Sequence, residues 1–153
     1  ITAANASKLN DGAAVLLITS DEKAEELGLK PLARIVGHCS VAHEPEWFTT
    51  APGKAIYKVL EKTGMEISNI DLWEINEAFS VVTMAAMEDF NIPHSKINLY
   101  GGAVALGHPI GASGARILVT LLNGMKRTNS KFGLATLCIG GGEASAMIIE
   151  KND

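Results

Sequence analysis

Long apolar runs, basic stripes and cysteine pairs are all missing from this 153-residue chain. Its longest apolar stretches, such as AAVLLI at 13–18, fall far short of the roughly 20 residues that a bilayer-spanning helix needs, so no membrane role is expected. Net charge is −4, and the lysines and arginines are scattered without interleaved aromatics, which leaves nucleic-acid binding with no electrostatic footprint. Two cysteines, Cys39 and Cys138, are too few for a disulfide framework, and a reducing compartment is the simpler reading. They form no C-x-x-C unit, and His38, His43, His94 and His108 have no i, i+4 pairing, so a transition-metal site explains them poorly. An initiator methionine and a targeting segment are also missing ahead of Ile1, and the chain is expected to be a piece of a longer polypeptide. Asn5-Ala6-Ser7 fits the glycosylation pattern, but with no secretory segment it is discounted.

What is there describes an ordinary core. Hydrophobic residues make up 47% and charged residues 20%, enough for one domain. Residues 5–19 read as a buried helix-to-strand passage, and SDEKAEELG at 20–28 as a short exposed helix capped by Ser20 or Asp21. A strand follows Pro31 through Ile35 and Val36, and EPEWFTTAPG at 44–53 reads as a loop. KAIYKVLEKTG puts Ile56, Val59 and Leu60 on one helical face and stops at Gly64. DLWEINEAF at 71–79 is expected as strand then turn, and 78–90 as a helix with Ala78, Val81, Val82, Ala85 and Ala86 in its apolar stripe. INLYGGAV at 97–104 reads as a strand entering a glycine cluster, GASGARILVTLLNGMK as the helix leaving it, and 131–151 as two strands interrupted by three glycines. Strands alternating with helices predict an α/β layered architecture.

Eight of the fifteen glycines fall in two windows, 101–114 and 140–142, each after an expected strand. Such glycines let backbone N–H groups approach a ligand, or serve only tight turns and close packing. Neither a P-loop nor G-x-G-x-x-G is present. His108 stands inside the first window and Cys138 just ahead of the second; taken singly, each is more often an inert polar or small apolar residue than a catalyst. Together, a thiol, an imidazole and exposed backbone donors are what acyl transfer or carbanion chemistry requires. Asn76 and Glu77 interrupt an apolar junction, either as a helix cap or as groups that orient a water and fix neighbouring backbone.

NEAF at 76–79, GGAVALGHPIGASGAR at 101–116 and CIGGG at 138–142, in that order, resemble the C-terminal half of a thiolase, in particular the acetyl-CoA C-acetyltransferase branch. ITAANASKLNDGAA resembles the segment before the last strand of that family's first core domain, so the resemblance covers the whole chain. It implies a thiolase-like layered α/β fold, with 1–30 closing the N-terminal core domain and 31–153 forming a C-terminal domain of mixed buried sheet with helices on both faces. The half carrying the nucleophilic cysteine would be absent and the isolated piece inactive; Cys39 is not its counterpart. The implied reaction is reversible Claisen condensation of two acetyl-CoA to acetoacetyl-CoA and CoA through an acyl-cysteine.

Carried over by position, His108 would activate the nucleophile and donate to the thioester oxygen, and Asn76 would hold a water completing that oxyanion hole. Cys138 would be the acid/base at the acetyl methyl, given surroundings that lower its thiol pKa, and Gly140 would supply an N–H to a second hole. Ser7, Ala78 and Phe79 would lie along the substrate and its CoA arm, and carbonyls at Ala3, Ala4, Ala6 and Val104 match a potassium site. No cofactor is implied for the chemistry beyond CoA thioester substrates; a homodimer or homotetramer and a mitochondrial or, failing that, cytoplasmic location are. Glu143 departs from the family, which commonly has glycine or methionine there. The alternatives are a degradative 3-ketoacyl-CoA thiolase and a non-catalytic lipid-binding protein of the same fold; retention of both His108 and Cys138 argues against the second.

Overall fold

The alternation of apolar residues in the last third of the chain builds a sheet buried on both faces. The computed structural model describes residues 1–152. Four strands, β1 (Ala33–Ala42), β2 (Leu72–Ile75), β3 (Phe132–Ile139) and β4 (Glu143–Lys151), lie in the order β1-β4-β3-β2. β1/β4 and β4/β3 pair antiparallel, and β3/β2 parallel. Successive side chains on a strand point to opposite faces. Thus Trp73, Leu134 and Ile148 enter one core while Leu72, Ala135 and Ile149 enter the other.

A helix covers each face. α2 (Ala51–Thr63) packs Ala55, Ile56, Val59 and Leu60 into the first core and stops at Gly64, which has φ +67° as a left-handed C-cap. α5 (Ser113–Thr128) presents Ile117, Leu121 and Met125, spaced four apart, to the second. A short α1 (Asp21–Glu26), N-capped by Ser20, α3 (Ser80–Phe90) and the single turn α4 (Ala103–Leu106) complete the set. The mixed sheet between helical layers agrees with the expected α/β class.

Three local expectations fail. Residues 13–18 run without secondary structure, and Val15 and Leu17 are 87% and 80% exposed rather than buried, because no strand or helix among the described residues lies against them. The 44–53 loop is instead a 3₁₀ turn over Pro45–Thr50 running into α2, with Pro52 in the helix's first turn where its missing N–H costs nothing. The strand at 97–104 is reduced to one parallel bridge between Ile97 and Trp73. There the chain turns at Asn98, which adopts φ +46°.

The Asn98 side chain then does the work of a strand residue. Its Oδ1 accepts from Ile75 N (2.9 Å) and its Nδ2 donates to Ile75 O (2.9 Å), satisfying the backbone on the open side of β2. Asn98→Ala is expected to destabilise the protein by about 2–3 kcal/mol, from an unpaired backbone group and a left-handed Cβ. Urea unfolding at constant m-value checks it; a change below about 0.5 kcal/mol would remove this account of how β2 ends.

Candidate active site

The parallel pair β2/β3 ends in residues that carry chemistry. Asn76 follows β2 directly, its N donating to Thr136 O (3.0 Å), and Cys138 lies two residues farther along β3. Asn76 is 1% exposed and caps no helix: α3 starts at Ser80 with no side-chain cap. Neither Asn76 nor Glu77 therefore caps α3. Asn76 Nδ2 stands 3.4 Å from His108 Nε2, so two of the three residues singled out in sequence meet directly. Cys138, 8% exposed, reaches the same end of the sheet.

The histidine's tautomer follows from the amide that faces it. Arg116 Nη2, a donor, faces Asn76 Oδ1 (3.4 Å), so Asn76 Nδ2 is turned to His108 Nε2 (3.4 Å), which accepts, and the ring proton sits on Nδ1 toward Ser113 Oγ (2.6 Å). His108 thus carries its proton on Nδ1 and offers Nε2 as a lone pair. Burial, and secondly the Arg116 charge, hold the ring below the usual histidine pKa, so it rests neutral at pH 7. Cys138 departs from expectation: burial pushes its thiol up, since no cation among the described residues faces it, and it rests protonated.

Glu77 explains part of the first glycine window. Its carboxylate accepts from Asn98 Nδ2 (3.0 Å) and from Val104 N (3.2 Å) at the start of α4, and a Cβ on Gly102 would fall inside it. Gly107, at φ +96°, packs its α-carbon against the Asn10 amide. At Gly140, as at Gly101, Gly111 and Gly114, nothing lies near the place a Cβ would take.

The N-terminal segment stitches these loops together. Ser7 N and Oγ both donate to Ala78 O (3.0 and 2.9 Å), Ser80 N donates to Asn5 O (2.9 Å), and Ala6 bridges Phe79. His108 N donates to Lys8 O (2.7 Å). Phe79 turns its ring edge-on to Phe48 with centroids 5.9 Å apart, a packing role. Lys8 Nζ donates to Ala3 O (2.9 Å), which places an ammonium on one of the four carbonyls matched to potassium; Ala4 is exposed. Among the described residues no group of three or more His, Cys, Asp or Glu side chains gathers as metal ligands.

Three residues were missed in sequence. Ser113 and Arg116 share the first turn of α5, and Glu74 is a 2% exposed carboxylate within β2. Arg116 Nη1 lies 3.5 Å from Glu74 Oε2, and its Nη2 donates to Asn76 Oδ1 (3.4 Å). Burial pushes Glu74 up to about 7; Arg116 opposes the shift and Glu77 adds to it. The one available signal was a charge inside the otherwise apolar LWEI.

Residues 29–151 match the family described as Thiolase, C-terminal domain, and the chain belongs to the thiolase family. It is 53% identical over 153 residues to acetyl-CoA acetyltransferase IA of Candida tropicalis, covering 100% of this chain and 38% of that protein. It is 53% identical over 150 residues to acetyl-CoA acetyltransferase 2 of Arabidopsis thaliana, covering 98% and 37%. Among solved structures, the Bacillus anthracis acetyl-CoA acetyltransferase superposes with TM-score 0.96 at 47% identity, over 99% of this chain and 39% of that one. Human mitochondrial 3-ketoacyl-CoA thiolase superposes with TM-score 0.92 at 37% identity, over 99% and 38%. The chain therefore spans about two-fifths of the length of these relatives.

Two measurements test the site's electrostatics. Long-range ¹H–¹⁵N correlation is expected to find His108 in the Nδ1–H tautomer, and Ser113→Ala to mix the two tautomers; an Nε2–H ring in the unaltered protein would reverse the assignment. For Glu74 the folded pKa, about 7, exceeds the ordinary 4.5, so its stability contribution is fully present below pH 4.5 and lost as pH rises through 7. The loss is on the order of 3 kcal/mol. Glu74→Gln should flatten the fall in unfolding free energy between pH 4.5 and 7; an unchanged slope would place the titration elsewhere.

Proposed function

We propose that this chain is the C-terminal part of an acetyl-CoA C-acetyltransferase that condenses two acetyl-CoA into acetoacetyl-CoA and CoA. The observation that carries the reading is the meeting of the His108 Nε2 lone pair with the Asn76 amide at the end of the sheet that also holds Cys138. Greater identity to acetyl-CoA acetyltransferases, 53% against 37% for the 3-ketoacyl-CoA thiolase, favours the condensing branch over the degradative one.

In this reading a cysteine supplied by sequence outside this chain gives its proton to His108 Nε2 and attacks the acetyl thioester carbonyl. The new Nε2–H and a water held by Asn76 then face the oxygen on which charge develops. Two aimed donors matter because losing one such donor costs about 3–4 kcal/mol of barrier. A Cys138 thiol that rests protonated suits the next event: it gives its proton to the departing CoA thiolate. The Cys138 thiolate left behind removes a proton from the methyl of the second acetyl-CoA. The enolate carbon attacks the acyl-cysteine carbonyl, the C–C bond forms, the C–S bond breaks, and the proton held on His108 Nε2 returns to the nucleophile's sulfur, which leaves Cys138 protonated and His108 neutral as at the start. Gly140 donates its backbone N–H to the enolate oxygen.

In the same reading residues 1–30 close the N-terminal core domain and 31–153 form the C-terminal one; exposure of Val15 and Leu17 supports a missing neighbour for the first segment. Ser7 and Ala78 shape the CoA side by holding one another, and Phe79 anchors that loop. A cation at Ala3, Ala4, Ala6 and Val104 would have to displace the Lys8 ammonium from the Ala3 carbonyl. No step of the reaction involves it. The complete enzyme is read as a mitochondrial homo-oligomer of ketone-body metabolism, by family resemblance alone.

In a full-length thiolase carrying this sequence, Cys138→Ala and His108→Ala should each lower condensation by at least about 10²–10⁴. A chain-length series should show activity concentrated on acetyl and acetoacetyl thioesters. Unchanged turnover in Cys138→Ala rejects the assignment, and preference for long-chain 3-ketoacyl-CoA moves it to the degradative branch.

A further inference from the structure

Glu74 and Arg116 are a poor bargain if stability is their only purpose. Glu74 is 2% exposed in the middle of β2, Arg116 is 19% exposed, and their nearest atoms are 3.5 Å apart. Arg116 Nε and Nη1 are buried without a hydrogen-bond partner among the described residues. Replacing such a pair by packed apolar residues is often neutral or stabilising, so ion pairing alone leaves both side chains unexplained.

What the pair does touch is Asn76. An amide can sit either way round, and at 1% exposure no bulk solvent decides which. A guanidinium has only donors, so the Asn76 atom facing Arg116 Nη2 at 3.4 Å has to be the oxygen. The amide nitrogen is then turned toward His108 Nε2, also 3.4 Å away. A flipped amide would put two donors against each other at Arg116 and aim an acceptor at the place where a thioester oxygen gathers negative charge.

We propose that Arg116, held by Glu74, is a positioning residue that locks the Asn76 amide with its N–H₂ toward His108 and the reacting oxygen. The proposal rests on the thioester chemistry above and adds residues to it. Arg116 touches no reacting atom; it acts through Asn76, and Glu74 acts through Arg116. The charge acting on the histidine is Arg116 from α5, which Glu74 in β2 pairs; Glu77 is engaged by Asn98 and Val104, and Lys8, whose backbone pairs with His108, sends its ammonium to Ala3. Removing the Arg116 charge therefore also removes the nearest cation that opposes protonation of His108.

The test uses a full-length thiolase carrying this sequence, with Arg116→Met, Glu74→Gln, both together, and Cys138→Ala as a control. Arg116→Met is expected to lower kcat for condensation by about tenfold to a hundredfold, with KM for acetyl-CoA within about threefold. The acidic limb of its kcat–pH profile should move to higher pH, a change that a purely structural role would not produce. Glu74→Gln should lose less, and the double variant no more than Arg116→Met alone, because Glu74 has nothing left to hold. Wild-type kcat in Arg116→Met, an unmoved limb, or additive losses in the double variant would each overturn the positioning role. Should Arg116→Met not fold, Glu74→Gln decides: reduced kcat at unchanged KM supports the role, and wild-type kcat overturns it. Activity in Cys138→Ala would instead bring down the underlying reading and this inference with it.

Discussion

The parallel register of β2 on β3 is the constraint on which the rest depends. β2 is only four residues long and buried on both faces, so a slip of one residue would exchange Leu72 and Trp73 between the two cores and carry Asn76 away from the loops. The register is pinned at both ends. Asp71 Oδ2 accepts from Lys131 N and Phe132 N (2.8 and 2.9 Å) where β3 begins, and Asn76 N donates to Thr136 O (3.0 Å) where β2 ends. From that registration, Asn76 and Cys138 reach the same edge of the sheet on rigid elements rather than on loops, which is what a site holding small reacting groups requires.

His108 is brought to this edge by a different kind of force. The chain from 98 to 112 has little regular pairing, so side chains and the distant N-terminal segment satisfy its backbone instead. Asn98 completes the open edge of β2, Glu77 ties down the start of α4, and the 5–10 segment holds both the 78–80 turn and the histidine loop. Glycine at 102 and 107 is required by this crowding, whereas Gly140 stands clear of its neighbours. Crowding does not follow the two windows: Gly101, Gly111 and Gly114 are as open as Gly140, while Gly141 and Gly142 are closed in by Glu143 and by the His43 carbonyl.

The legible parts of the fold were those with a strong period. α2 and α5 announced themselves through apolar residues three and four apart, and both closing strands through short apolar runs around glycine. The misreadings share one cause, which is that local pattern does not say what lies opposite. AAVLLI at 13–18 has the composition of a core segment yet nothing among the described residues to pack on, and INLY has that of a strand yet turns at Asn98 because a side chain takes over the pairing. Arg116 and Ser113 were invisible for the same reason, being two polar positions on an amphipathic helix until the fold sets them against Asn76 and His108.

Sequence by itself determined the layered α/β class, the faces of the two main helices and, through three motifs in a fixed order, the family and the candidates His108, Cys138 and Asn76. Only the tertiary structure decided which way the Asn76 amide points, which nitrogen of His108 holds the proton, that the Cys138 thiol is raised rather than lowered, and that Lys8 covers the Ala3 carbonyl. The division has a physical reason. Periodicity and motif order are properties of neighbours along the chain, while proton location and amide orientation depend on donors, charges and burial supplied from residues tens of positions away.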